Sequence, residues 1–288
     1  MKKRIVFMWA CVIALLMWLP TDLQKQCLSQ RRETERGYVK RFQHINLVDM
    51  PTGGLLTPAT FDAGLRMYTE GGLLGRLSVG VTDRFMFGVS FGGTNVIGAG
   101  EVDWNINPGV NAKYFLMEEG LNRPAIALGF DSQGYGPYYK TYTEIIKTDH
   151  GDSLRVLPDV NRYAIKSRGF YLVISKGYFF WRNFGLHLGI NRSLEADDKD
   201  TDPTIFLGFD IDLGSDVSFV CEYDFATNDD GPYTIGQRRK GYLNAGLRWS
   251  FMERVYVEFD FKDILGNEEP SSEFGRVIKI AYIQPLKQ

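Results

Sequence analysis

The chain has 288 residues, and its 33 Lys and Arg nearly balance 35 Asp and Glu, which argues against a nucleic-acid binder with its basic excess. Three Cys and three His without ligand spacing give neither a disulfide framework nor a zinc site. Fifteen Tyr, 20 Phe, 5 Trp and 31 Gly beside only 11 Pro favour many strands and turns over helices.

The N-terminus, MKKRIVFMWACVIALLMWLP, sets Lys2, Lys3 and Arg4 ahead of an apolar stretch from Ile5 to Leu19. A basic start and an apolar core too short to span are the layout of a secretory signal, and residues 1–20 are read as one. No small-x-small triplet follows Leu19, and Cys27 lacks the small residues that precede a lipoprotein cysteine. The alternative is an uncleaved anchor or a buried helix. Residues 21–48 are polar and charged and read as a tether. The domain, 49–288, begins at the Pro/Gly turn cluster DMPTGGLL.

From Thr60 onward the pattern is strand after strand. The candidates are 60–69, 73–82, 84–91, 109–117, 124–132, 168–176, 184–192, 204–212, 217–226, 241–250, 254–262 and 276–284. Successive side chains of a strand point to opposite faces. In RVYVEFDFK (254–262), Val255, Val257, Phe259 and Phe261 therefore share an oily face, opposite Tyr256, Glu258, Asp260 and Lys262. Eleven strands yield such an uncharged face; RGFYLVISK (168–176) is apolar on both sides.

The connections alternate in length. TDR (82–84), EEGLNR (118–123), GYFFWRN (177–183), GSD (214–216) and FMER (251–254) are short, while 92–108, 133–167, 193–203, 227–240 and 263–275 are long. Only Glu70-Gly71-Gly72 is short on the long-loop side. Short turns at one end and long loops at the other are the layout of an up-and-down outer-membrane barrel, whose even strand number leaves both termini on the periplasmic side.

An oily face alone is compatible with a soluble sandwich. Three features favour lipid. The strands approach the 9–11 residues a tilted strand needs to cross hydrocarbon. Aromatics collect at both strand ends, with Phe85, Tyr178, Trp181 and Trp249 toward the turns and Phe91, Phe130, Tyr223 and Phe261 toward the loops. The polar face is rich in small residues such as Gly64, Gly88, Gly129, Gly189, Gly208 and Gly246, which make room for long charged neighbours in a lumen.

On this periodicity and turn layout, residues 50 to 284 resemble a bacterial outer-membrane β-barrel, porin-like in general pattern and without a sharp motif. The fold expected is all-β, a closed antiparallel up-and-down transmembrane barrel of about 12 strands. The chain departs from the pattern at its end, AYIQPLKQ, where Tyr282 stands in for the usual terminal aromatic residue.

The outward set expected to face lipid includes Phe87, Val89, Leu186, Leu188, Leu207, Phe219, Leu247, Val257 and Phe259. The inward charges are Arg66, Arg76, Lys113, Asp210, Asp212, Glu222, Asp224, Arg248, Glu258, Asp260 and Lys279. Arg66, Arg76 and Lys279 form a basic arc when the last strand meets the first, facing an acidic arc on the eighth, ninth and eleventh strands. Either the charges interlock and fill the lumen, or water remains and the opposed arcs select small polar solutes.

The expected role is passive: a small-solute pore, or a structural or surface barrel. Expected partners are outer-membrane lipid and small polar solutes or ions, with no nucleic acid and no cofactor. The alternatives are a secreted β-sandwich or lipocalin-like binder, and a rim-site hydrolase. For the hydrolase, TDHGDS (148–153) offers Asp149, His150, Asp152 and Ser153 on one loop. His187 reads as a satisfied interior histidine. EADDKDTDP places Asp198, Asp200 and Asp202 at alternate positions, but Pro203 and Phe209 replace the glycine and acid of a calcium loop, so a solvated acidic loop is expected. GYGPYYKTY (134–142) reads as a sticky loop tip or a lumen plug.

Overall fold

The computed structural model describes residues 44–120, 122–148, 151–157, 159–179, 182–230, 241–251, 254–267 and 275–286. Twelve antiparallel strands close into a barrel. They are β1 (Thr60–Tyr68), β2 (Gly72–Thr82), β3 (Phe85–Thr94), β4 (Gly109–Met117), β5 (Ala125–Asp131) and β6 (Gly169–Phe179). The second half comprises β7 (Asn183–Arg192), β8 (Thr204–Asp212), β9 (Val217–Asp224), β10 (Tyr242–Phe251), β11 (Val255–Lys262) and β12 (Gly275–Pro285). Each strand pairs with its sequence neighbour, and β12 closes on β1 with Leu65 opposite Ile280 and Arg66 opposite Lys279. The candidate strands 109–117 and 204–212 coincide with β4 and β8, and the others differ at their ends by a few residues.

The first hairpin can be short because Glu70 and Gly71 both take left-handed φ of 62°. A Cβ on Gly71 would lie 2.0 Å from the Ile97 carbonyl oxygen, since the 95–97 backbone donates to Glu70 and Gly71 and caps the tip. The longest loop, 132–168, carries two ribbons of its own. Tyr135–Tyr139 pairs with Arg162–Ile165, and Tyr142–Thr148 with Gly151–Leu157.

Sidedness is plain on neighbouring strands. Leu247 and Phe259 are 46% and 50% exposed, whereas Arg248, Glu258 and Asp260 are 6%, 0% and 2% exposed. The outer surface is a continuous apolar belt that includes exposed Leu77, Phe87, Val89, Leu128, Ile205 and Ile280. Such a belt far exceeds the scattered patches of a protein that meets only water. Leu186, Leu188, Leu207, Phe219 and Val257 lie on the same outer face, half-covered by neighbours. Ring pairs mark both ends of it: Trp249–Phe251 and Phe184–Phe209 toward the turns, Phe91–Trp104, Phe130–Phe170 and Tyr223–Phe225 toward the loops. A soluble sandwich or lipocalin-like binder would have the opposite sidedness.

The interior is not uniformly polar. Met86, Ala127, Tyr171, Val173, Phe206 and Val220 point inward and are buried. This resolves the two-sided apolar run 168–176: Phe170, Leu172 and Ile174 face out, while Tyr171 and Val173 face in. What they face is residues 44–58. Residues 44–48, assigned to the tether on composition, lie inside the barrel, so no structural boundary falls at Asp49.

Candidate functional site: a hairpin in the lumen

Residues 44–58 enter the barrel from the short-turn end, turn at Leu47–Met50, and return to the start of β1. Leu47 N–H donates to the Met50 carbonyl (2.8 Å) and Thr52 N–H to that of Ile45 (3.1 Å). Thr57, Pro58 and Ala59 are exposed at the short-turn end, while Ile45 to Leu56 are all buried except half-buried Asn46.

A buried backbone needs partners for its amides and carbonyls. Here the barrel wall supplies side chains rather than a strand edge. The Lys113 ammonium donates to the carbonyls of Ile45 (2.7 Å), Thr52 (3.1 Å) and Gly54 (3.0 Å). Arg248 Nη2 donates to Asn46 and Leu47, both at 3.1 Å, and Lys279 Nζ to Val48 at 2.6 Å. Glu222 takes the turn's amides, accepting Asp49 N–H at 2.9 and 3.0 Å and Met50 N–H at 2.8 Å. Ser175 Oγ accepts Gly53 N–H at 2.7 Å.

The apex carries a charge of its own. Asp49 bonds Arg66 (2.7 Å) and Lys262 (2.5 Å), and the Tyr135 ring lies 4.2 Å from the Arg66 guanidinium carbon and 4.5 Å from Lys262 Nζ. Tyr135 comes from GYGPYYKTY, which therefore reaches the lumen from the long-loop end. Apolar contacts complete the seat: Met50 packs with Ala127, Tyr171, Val173 and Phe206; Ile45, Leu55 and Leu56 with Met86; Leu47 and Val48 with Val220. Burying a side chain such as Leu47, Met50 or Leu56 is worth roughly 1.5–3 kcal/mol.

The wall glycines fit this occupant as much as charged neighbours. A Cβ on Gly208 would lie 2.4 Å from Leu47 Cδ1, and one on Gly53 2.9 Å from Ser175 Cβ. Gly129 and Gly189 leave space for the Tyr171 and Phe206 rings, Gly246 for Asp260.

Arg66, Lys113, Glu222, Arg248 and Lys279 grip the hairpin. Arg76 pairs with Asp62 (2.8 Å), Glu258 with Arg248 and with Lys279 (2.7 Å), and Asp260 with Lys279 (2.7 Å). Asp224 takes Arg168 (2.6 Å) and Thr204, Asp212 takes Asn183 and Ser218, and Asp210 takes His187 (2.7 Å). Of the basic arc only Lys279 meets the acidic one, across the neighbouring β11–β12 ladder; Arg66 and Arg76 are answered by Asp49 and Asp62 instead. His187 also meets Ser175 Oγ through Nδ1 (2.7 Å), so Gly53, Ser175, His187 and Asp210 form one chain of hydrogen bonds from hairpin to wall.

At the long-loop end a second cluster joins three loops. The buried Arg162 is bidentate to Asp229 (2.5 and 2.9 Å) and bonds Asp198 (2.8 Å); Lys166 bonds Asp198 and the carbonyls of Asp200 and Asn228. The expectation of a solvated acidic loop is corrected here. Asp198 and Asp200 are 2% and 8% exposed because cations from loop 132–168 fold over them; Asp202 is exposed. Of the rim-site candidates, Asp149 and His150 lie outside the described residues, as do the side chains of Asp152 and Ser153.

A cavity of 1940 Å³ remains between hairpin and wall. Asp83, Arg84, Glu118, Asp216 and Arg254 line its short-turn end, Arg76 and Lys113 its middle, and Asp131, Tyr135 and Arg168 its long-loop end. Sequence reasoning missed Asp49, Asp62, Asp131, Ser175 and Arg168 as members. Parity would have found Asp62 and Asp131; Ser175 lies in the run 168–176 that is apolar on both sides, Arg168 falls just ahead of β6, and Asp49 lies in the hairpin.

No family model matches the chain, and a search of curated proteins finds no match. Among solved structures, a KdgM porin is similar at 12% identity and a TM-score of 0.43, covering 77% of this chain and 98% of that one. Omp33 of Acinetobacter baumannii is similar at 7% identity and 0.40, covering 78% and 96%. The COG4313 outer membrane channel from Pseudomonas putida F1 is similar at 10% identity and 0.38, covering 80% and 97%. At such scores the weight rests on this chain's own geometry. Closed strand order, apolar exterior and charged interior make it a porin-like outer-membrane β-barrel.

Proposed function

We propose that the chain is a narrow outer-membrane pore for water, ions and small polar solutes, whose path is the space left around the hairpin 44–58. The observation that carries this reading is the 1940 Å³ cavity, lined by charges of both signs from the turn residues to the underside of loop 132–168. Glycines and short polar side chains such as Ser78 and Ser90 on β2 and β3 keep that side of the lumen open. Loop 132–168, pinned by Arg162 and Lys166, covers the other end. Both termini then lie on the periplasmic side, and the outer belt meets lipid.

The Ser175–His187–Asp210 chain of bonds is read as a fastening rather than a nucleophilic site. Ser175 is 5% exposed, its Oγ is occupied by Gly53 N–H, and Asp210 holds the Nε2 side of the ring. The reading is therefore of a passive barrel.

Planar-bilayer recording on purified, folded protein tests the proposal. Small unitary currents are expected from the intact chain, with larger ones once 44–58 is displaced. Silence in both states from protein with heat-shifted gel mobility sinks the pore reading and leaves a structural or surface barrel. Labelling of Ser175 by a fluorophosphonate would overturn the passive assignment.

A further inference from the structure

We infer that the lumen is a peptide-binding site, built to recognise an acidic β-turn, and that residues 44–58 are its exchangeable internal ligand. This deepens the pore reading by supplying its regulation, but it rests on contacts that stand without any current being measured.

The site has the anatomy of a receptor rather than of a folded core. Cations meet carbonyls: Lys113 takes three, Arg248 two, Lys279 one. An anion meets amides, because Glu222 takes both N–H groups at the turn. One side chain of the ligand is read by charge, where Arg66 and Lys262, roofed by Tyr135, close on Asp49. Apolar seats receive Leu47 and Met50.

Three features make the ligand separable. Among the described residues, the bonds from wall to hairpin over 45–54 come from side chains, not from a β-ladder, so the backbone ladder of the twelve strands contains no hairpin residue. Both described ends of the hairpin, at His44 and at Thr57, open toward the short-turn end. The connection to β1 runs through exposed Thr57, Pro58 and Ala59. A peptide with the same turn and acid, free or on a partner, meets the same groups.

The test keeps the full chain. A protease site inserted between Thr57 and Pro58 is cut after folding, leaving the hairpin held by contacts alone. A fluorescent synthetic peptide of residues 44–58 is then added and followed by anisotropy and co-elution with the barrel. Saturable exchange into the nicked barrel is expected, with none into the uncut chain. The Asp49→Asn peptide should bind at least tenfold more weakly, and the wild-type peptide should lose a similar factor on a Glu222→Gln barrel. If the nicked barrel stays folded and takes up no peptide, or takes both peptides equally well, the inference fails and the hairpin is a fixed core. Should the insertion impair folding, a chain joined to its signal at Thr57 is refolded in detergent with peptide in trans. Rescue by the wild-type peptide and not by the Asp49→Asn peptide supports the inference; folding without peptide and without binding overturns it. Anisotropy does not depend on conductance, so a silent barrel that exchanges peptide refutes the pore and spares this site.

Discussion

Arg66 and Lys279 stand directly opposite each other, both pointing inward, across the seam where β1 meets β12. Like charges in that position repel. The seam holds because each cation is answered from elsewhere: Arg66 by Asp49 of the hairpin, Lys279 by Glu258 and Asp260 of β11. The lumenal hairpin is thus an electrostatic part of barrel closure. Asp49→Asn should destabilise the folded barrel by about 3–5 kcal/mol, the usual cost of removing one partner from a buried ion pair. Thermal loss of the unboiled gel species reads this; a change under about 1 kcal/mol would show that the seam does not need Asp49.

Arg162 ties loop 132–168 to two others through Asp229 and Asp198. Arg162→Ala leaves two buried carboxylates short of a partner, while the strand ladder is untouched. The expected outcome is a barrel with unchanged heat-shifted mobility, at least tenfold faster proteolysis within loop 132–168, and larger unitary currents. Unchanged proteolysis would show that the cluster does not hold the loop.

Glu195 accepts the amides of Tyr163 (3.1 Å) and Ser167 (3.2 Å), yet burial raises its carboxyl above the usual carboxylate range. A group whose titration is raised on closing binds its proton more tightly in the closed loop, so by linkage its contribution to closure grows as pH falls through that raised range and is lost above it. Hydrogen exchange at Tyr163 and Ser167, corrected for intrinsic rates, should slow as pH falls from neutrality through that raised carboxyl range. Glu195→Gln should flatten that dependence, and an unchanged slope in that variant would assign the effect to another group.

Leu247 tests the exterior. It is flanked on the outer face by Phe219 of β9 and Phe259 of β11. Leu247→Arg should cost about 2–4 kcal/mol of folding free energy in lipid if it lies near the bilayer midplane. The same change at exposed Leu194, in loop 193–203, should cost little. Equal, small effects at both positions in a vesicle refolding titration would remove the belt from the bilayer.

The wall was readable because each strand has a period of two and one face meets an apolar medium. Val255, Val257 and Phe259 declare their side without help, and so do the charges opposite them. The occupant was harder to see. HINLVDMPTGGLLTP has neither strand nor helix period, so its composition suggested a tether and a turn, although Leu47, Met50 and Leu56 are among its most buried side chains. Its trace lay on the other partner: inward-facing Val173, Phe206 and Val220 have no place in a water-filled lumen unless something apolar covers them. Asp198 was misjudged for a related reason, its partner being Arg162 of another loop. They meet across 36 residues, and no local pattern announces that a loop will fold back over another.

The grips on the hairpin come from β1, β4, β6, β9, β10, β11 and β12, positions that span residues 66 to 279. A half-built sheet therefore offers residues 44–58 only a fraction of its handholds. The full set exists once the last strand has docked on the first. Residues 44–58 are thus able to report, by whether they are held or loose, that the most distant strand has arrived: an inspection mark for completed assembly carried within the chain itself.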